Sequence, residues 1–429
     1  MAKRTARDNR DLPHPKPVQR VELSDQHVGL RIFLVVILVL IAGSSLAYAV
    51  SSWLTVDSGW TTISPDSAAD IMESASFELQ YELGTTDLGT TAENKAIVLI
   101  YTDALELACQ SFQADVEYED VHNIYYINRH VNEDIVVEPV LYQAFEQMKD
   151  QLSYLYLGPL YAEYYAVFAS NDDQEAAVYD PELNEDQEVY FEQVCSFISN
   201  GAIELVLLGD YTVRLEISEE YEAFADEYGL TSYLDFFWMK NAFIVDYVAE
   251  QLVAGGYTNG QISSVDGYVR CLDERQVTYG INLIDDQESG ALQAAAFSYE
   301  GPMSVVMMKN FPVYSTDDVS YYTYGNGETR YSYLSPDTGR CTSALPGLLC
   351  YSADVSSAEI MLEMMPVYIS SEFGEESLEF LWEMAGQGIY SIYCQNQVIY
   401  YSEEGLSLED VYDGESVSYK TERMPSDFD

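Results

Sequence analysis

The chain has 429 residues, with 72 Asp plus Glu against 19 Lys plus Arg, a formal charge of −53. That balance argues against nucleic acid as a partner, since phosphate neutralisation needs a basic surface, and against docking on anionic lipid headgroups. Disorder is not implied, because 48% apolar residues and 37 tyrosines are ample for the core of one large or two modest domains.

Residues 1–31 are polar, carry Pro13, Pro15 and Pro17, and show no helical or strand period; they read as a flexible cytoplasmic tail. Ile32 to Leu54 has no charged side chain and matches the roughly 20 apolar residues that cross a ~30 Å hydrocarbon core. A transmembrane helix is expected there. The basic residues before it, Lys3, Arg4, Arg7, Arg10, Lys16, Arg20 and Arg31, place that flank in the cytoplasm by the positive-inside rule and the rest of the chain outside the cell. A cleaved signal peptide is the competing reading, because Ala47-Tyr48-Ala49 fits the small-x-small cleavage pattern. The apolar run continues past that site to Trp53 and Leu54, which favours an uncleaved anchor. The anchor makes the cell membrane a partner, and under either reading the remainder is exported, as a domain over 55–410 and an acidic tail over 411–429.

The carboxylates of the exported part read as a solvated, self-repelling surface. Calcium is the sharper alternative, but no D-x-[DN]-x-[DN]-G loop supports it. All six cysteines, Cys109, Cys195, Cys271, Cys341, Cys350 and Cys394, follow the span. An even count on the oxidising side suggests up to three disulfides, with Cys341 and Cys350 the first candidate pair and buried free thiols the alternative. No C-x-x-C spacing points to zinc.

In chain order, Ser64-Pro65-Asp66 is a helix start leading into 68–83, and 93–110 reads as a second helix. Residues 123–128 and 134–137 look extended. Pro139 opens a helix whose apolar residues recur at helical spacing to Leu152. Residues 170–187 read as an acidic loop or insertion, and 188–198 as helix. Ile203, Leu205 and Leu207 alternate ahead of Gly209-Asp210 and a partner over 211–217, a hairpin signal. A short helix over 219–228 follows, then the longest helical run, 235–253, closed by Gly255-Gly256. Strands are expected over 261–272, 276–284, 290–299 and 304–308 as an antiparallel meander, and 321–334 straddles Gly325-Asn326-Gly327. Helices over 356–365 and 377–385 and a hairpin over 388–401 complete the domain, with a loose tail from 411. The class is α+β, antiparallel sheet with packed helices.

Three stretches in the same order resemble the FAD:protein FMN transferase family. Asn241-Ala242-Phe243-Ile244-Val245-Asp246 is similar to the end of its I-D-L-G-G-I-A-K-G-Y-A-V-D run. Ser332 to Gly339 is similar to its H-I-I-D-P-x-T-G turn, and Ala358-Glu359-Ile360-Met361-Leu362-Glu363 falls where it has A-D-A-L-A-T. Ile124 to Asn128 sits where the family has a strand ending in Asn. The resemblance implies an exported domain that handles FAD and Mg²⁺. It points to Asp246 as the catalytic acid, to Asn241, Thr338 and Gly339 as contacts for a flavin nucleotide, and to Glu359 and Glu363 as metal ligands.

Departures from the family's pattern cluster at nucleotide-facing positions. Lys240 stands one place before the family's lysine, a rotation of about 100° around a helix. Phe237 and Trp238 replace paired glycines, Ser332 and Ser335 replace a His and an Asp, and Ser315-Thr316-Asp317 replaces Thr-Ser-Gly. Glu359 and Glu363 lie one turn apart on the same helix face. Two carboxylates so placed suit Mg²⁺ with water completing the shell, or are two exposed acids on an acidic protein. Asp246 is the one motif acid kept, or a satisfied surface residue. His122 and His130, the histidines beyond the span, lie in no nucleophile-bearing motif and read as structural. Two functions remain: a degenerate, non-catalytic flavin-binding or envelope module, and a working Mg²⁺-dependent transferase of FMN to a protein Thr or Ser.

Overall fold

Alternation of apolar and polar residues in Phe77–Leu83 turns Phe77, Leu79, Tyr81 and Leu83 to one side, and all four are buried. This strand replaces the helix expected through residue 83: only Ser74–Ser76 forms a 3₁₀ turn, and the period of two decides. The computed structural model describes residues 56–426 apart from 70, 288–289 and 314–319. The expected span Ile32 to Leu54 and the Ser315-Thr316-Asp317 stretch lie outside the described residues. Among the described residues no helix is long and apolar enough to cross a membrane.

Phe77–Leu83 belongs to a nine-stranded sheet in the order Gly59–Ile63, Phe77–Leu83, Gly260–Ser264, Tyr268–Cys271, Met303–Lys309, Gly347–Ser352, Tyr390–Gln395, Val398–Tyr401, Lys420–Arg423. Every neighbouring pair is antiparallel except the last. Val305, Leu349, Tyr351, Ile392 and Ile399 share a core with Leu283, Phe297 and Tyr299 of the Thr278–Gln287 and Gly290–Glu300 hairpin. That hairpin is a sheet of its own, so the expected continuous meander is broken in two. The opposite face carries the Lys240–Ala254 and Ser357–Tyr368 helices, and Thr90–Ser111 packs on the first of these. Thr90–Ser111, at 22 residues, exceeds the 15 of Lys240–Ala254, which is therefore not the longest helix.

A second core joins the helices Gly158–Ala169, Asp173–Tyr179 and Glu185–Ser199 through Leu160, Tyr161, Tyr164, Ala176, Phe191 and Val194. The acidic stretch read as a loop thus holds a helix, capped by Asp172 through the N–H groups of Gln174 and Glu175. Ile124–Arg129 is likewise helical, not extended, because the Asn123 side chain accepts from Tyr126 N–H and starts it. The end of the chain is not a loose tail: Tyr419 and Met424 are buried, and Lys420–Arg423 pairs in parallel with Val398–Tyr401. All six cysteines are free thiols, which overturns the expected pairing. Cys350 lies inside the nine-stranded sheet beside Ser391, whereas Cys341 packs on the helical core.

Candidate functional site

The Lys240–Ala254 helix begins where the chain leaves a tight turn at Phe237–Met239. Phe237 has φ +43°, a left-handed conformation that a side chain with Cβ resists. Its ring stacks on Tyr161 at 4.7 Å, and Trp238 meets Tyr333 edge-on at 4.9 Å. Both rings pack on the helical core. Asp235 accepts from Phe237 N–H at 2.7 Å, and burial raises its pKa to about 6, against the pull of that N–H and of Lys240.

Lys240 pairs with Glu73 at 2.7 Å. Burial pulls its pKa down, but Glu73 and then Asp235 outweigh that, so the net direction is up. Asn241, one position on, turns elsewhere: its Nδ2 donates to Asp266 Oδ2 at 2.9 Å. Adjacent residues on a helix point about 100° apart, which separates the cation from the amide.

Asp246 sits about one and a half helical turns beyond Asn241 and is 7% exposed. Its Oδ1 accepts from Ser357 N–H at 3.0 Å and its Oδ2 from Ala358 N–H at 2.7 Å. Ser356 Oγ accepts from Glu359 N–H, so the free donors at the start of the Ser357–Tyr368 helix are taken up by side chains. Arg270 Nε lies 3.5 Å from Asp246, and Ser357 Oγ donates to Val269 O at 3.0 Å. Burial pushes the Asp246 carboxyl up against the attraction of Arg270 and the two N–H groups. In position Asp246 is a clamp between two helices and the sheet.

Glu359 is exposed and Glu363 half-buried on the Ser357–Tyr368 helix. Burial, then the neighbouring Glu359 charge, raises the Glu363 pKa. Among the described residues no three His, Cys, Asp or Glu side chains gather as a metal cluster. Thr338 and Gly339 lie in a turn closed by Gly339 N–H to Ser335 O at 2.7 Å. Gly339 has φ +68°, and a Cβ there would lie 3.1 Å from Phe191 Cβ and 3.3 Å from Cys195 Sγ. Glycine is needed twice over, and Thr338 is left exposed. The six residues thus fall on two packed helices and one turn. His122 and His130 flank Tyr126 in a stack at 4.1 and 3.9 Å, and their Nδ1 atoms bond Val136 O and Tyr126 O, a structural arrangement.

Sequence reasoning missed Glu73, Asp266 and Arg270. The signal for Asp266 was the Asp266-Gly267 dipeptide, a hairpin turn signature hidden inside what reads as one strand over 261–272.

A nine-stranded, mainly antiparallel sheet with helices on one face and a hairpin on the other defines an α+β class. Within that class the chain has the fold of the ApbE flavin transferases. The ApbE protein of Thermotoga maritima superposes with a TM-score of 0.51 at 11% identity, over 78% of this chain and 92% of that one. The flavin transferase ApbE of Vibrio cholerae gives 0.49 at 14% over 78% and 94%, and the Pseudomonas stutzeri flavinyl transferase ApbE 0.47 at 12% over 83% and 95%. Neither a protein-family model nor a curated protein matches the sequence. At such identities the likeness is one of fold.

Proposed function

We propose that this chain is a membrane-anchored, extracytoplasmic protein that keeps the flavin-transferase fold without its transfer chemistry, and serves as a binding module for a flavin, another ligand or an envelope partner. The observation that carries this is the packing of Phe237 and Trp238 into the helical core. At the two places where the resembling family has glycines, bulk now covers backbone that a nucleotide would approach. Asp246 supports the same reading, since both of its oxygens are engaged by backbone N–H groups. These residues do not fit FAD as the substrate of a transfer reaction. The second reading, a Mg²⁺-dependent FMN transferase, draws on Glu359 and Glu363, whose mutual repulsion a divalent cation would relieve.

Incubating the full chain with FAD and Mg²⁺ while following flavin fluorescence and AMP release tests the proposal. Flat traces on both counts are expected. Stoichiometric or catalytic AMP release, lost on Glu359→Gln with Glu363→Gln, would establish the second reading instead.

A further inference from the structure

Asn241 is 8% exposed, and its single side-chain hydrogen bond runs from Nδ2 to Asp266 Oδ2. The other halves of both groups are left over. Asn241 Oδ1 and Asp266 Oδ1 are buried and have no hydrogen-bond partner among the described residues. Both are acceptors when Asp266 is ionised, so neither can satisfy the other. One proton supplies the missing donor for both. We infer that Asp266 is held as a neutral carboxylic acid whose Oδ1–H donates to Asn241 Oδ1, closing an amide–acid pair between the Asp266-Gly267 turn and the first turn of the Lys240–Ala254 helix.

The surroundings agree. Burial raises the Asp266 pKa and outweighs the opposing pull of the Ser264 and Asn241 side chains, of its own backbone N–H and of the Lys240 charge. Lys240, the charged group that would favour the carboxylate, is committed to Glu73. The Ser264 hydroxyl donates to Tyr268 O at 3.5 Å. Tyr268 and Tyr333, the other titratable groups facing Asp266, are kept neutral by burial.

The pair is a proton-controlled catch at the start of the site helix. Because the folded-state pKa of Asp266 is raised, its contribution to stability is complete below about pH 4 and is lost as pH rises through the folded value. Loss of the proton sets two acceptors against each other and leaves the Asn241 Nδ2 bond to Asp266 Oδ2 as the remaining side-chain link between turn and helix.

Asp266→Asn offers the same donor and acceptor without a proton to lose. Thermal melts of the full chain at about pH 4 and about pH 8 should show the variant above wild type by about 2 °C at the higher pH and level with it at the lower. A variant below wild type at the higher pH, or shifted equally at both, overturns the inference. Infrared difference spectra of wild type against the variant, at a pH just above the ordinary carboxyl value of ~4, should contain a protonated-carboxyl carbonyl band, and its absence also overturns it. Stabilisation of wild type but not of the variant by Mg²⁺ would assign the two oxygens to a cation and likewise refute the shared proton.

Discussion

Phe237 holds a backbone conformation suited to glycine, φ +43°, and is kept there by its ring against Tyr161. A left-handed conformation costs a residue with Cβ about 1–2 kcal/mol. Phe237→Ala removes the ring and keeps that strain, whereas Phe237→Gly removes both. Urea melts should therefore find Phe237→Gly less destabilised than Phe237→Ala by about 1 kcal/mol, the reverse of the usual order; a glycine variant below the alanine one contradicts the account of this turn. Asp246 gives a second test at the same scale. As a helix cap engaged on both oxygens, it should cost about 1–3 kcal/mol on substitution by Ala, and nearly as much by Asn, whose NH₂ would face a backbone N–H. An Asn variant that melts with wild type would remove Asp246 from the clamp.

The Asp173–Tyr179 helix and the Tyr321–Thr323/Thr329–Tyr331 hairpin are fastened by one buried ion pair. Asp180 is fully buried and Arg330 6% exposed. Asp180 Oδ2 accepts from Arg330 Nε at 2.8 Å and from Tyr324 OH at 2.9 Å, while its Oδ1 accepts from Glu182 N–H. Arg330→Met strands a buried carboxylate and should cost about 3–5 kcal/mol, with part of the loss recovered in Arg330→Met/Asp180→Leu. Equal melting of the single variant and wild type would show the pair to be ornamental. These contacts also mark what a sequence conveys. The hairpin was legible from Gly325-Asn326-Gly327, and the Ser357–Tyr368 helix from its apolar spacing after Ser356. Phe77–Leu83 was masked by the Ser64-Pro65-Asp66 helix signal upstream, although its own residues alternate. Lys420–Arg423 has no apolar residue to announce a strand, because an edge strand needs only backbone pairing. In the site, the resemblance picked out Asn241 and Asp246. Their partners Asp266, Arg270 and Ser357 come from distant chain segments, and tertiary pairing of that kind leaves no local pattern.

Across the whole molecule, a charge of −53 makes the folded state repel itself. Among its described cations, Arg214, Lys240, Arg270, Arg275, Arg330 and Arg340 each pair with a carboxylate. Screening over a Debye length of about 10 Å at 0.1 M salt should raise the melting temperature as NaCl is added from low ionic strength. A falling melting temperature would mean that these ion pairs outweigh the repulsion. The central claim is that aromatic bulk and a structural aspartate occupy the place where the resembling family handles its nucleotide. A crystal structure of the protein soaked with FAD and Mg²⁺ tests it most directly. The account predicts Phe237 still stacked on Tyr161 and Asp246 still bound to the Ser357 and Ala358 N–H groups. Flavin density in place of the Phe237 ring, with a metal ion between Glu359 and Glu363, would contradict it.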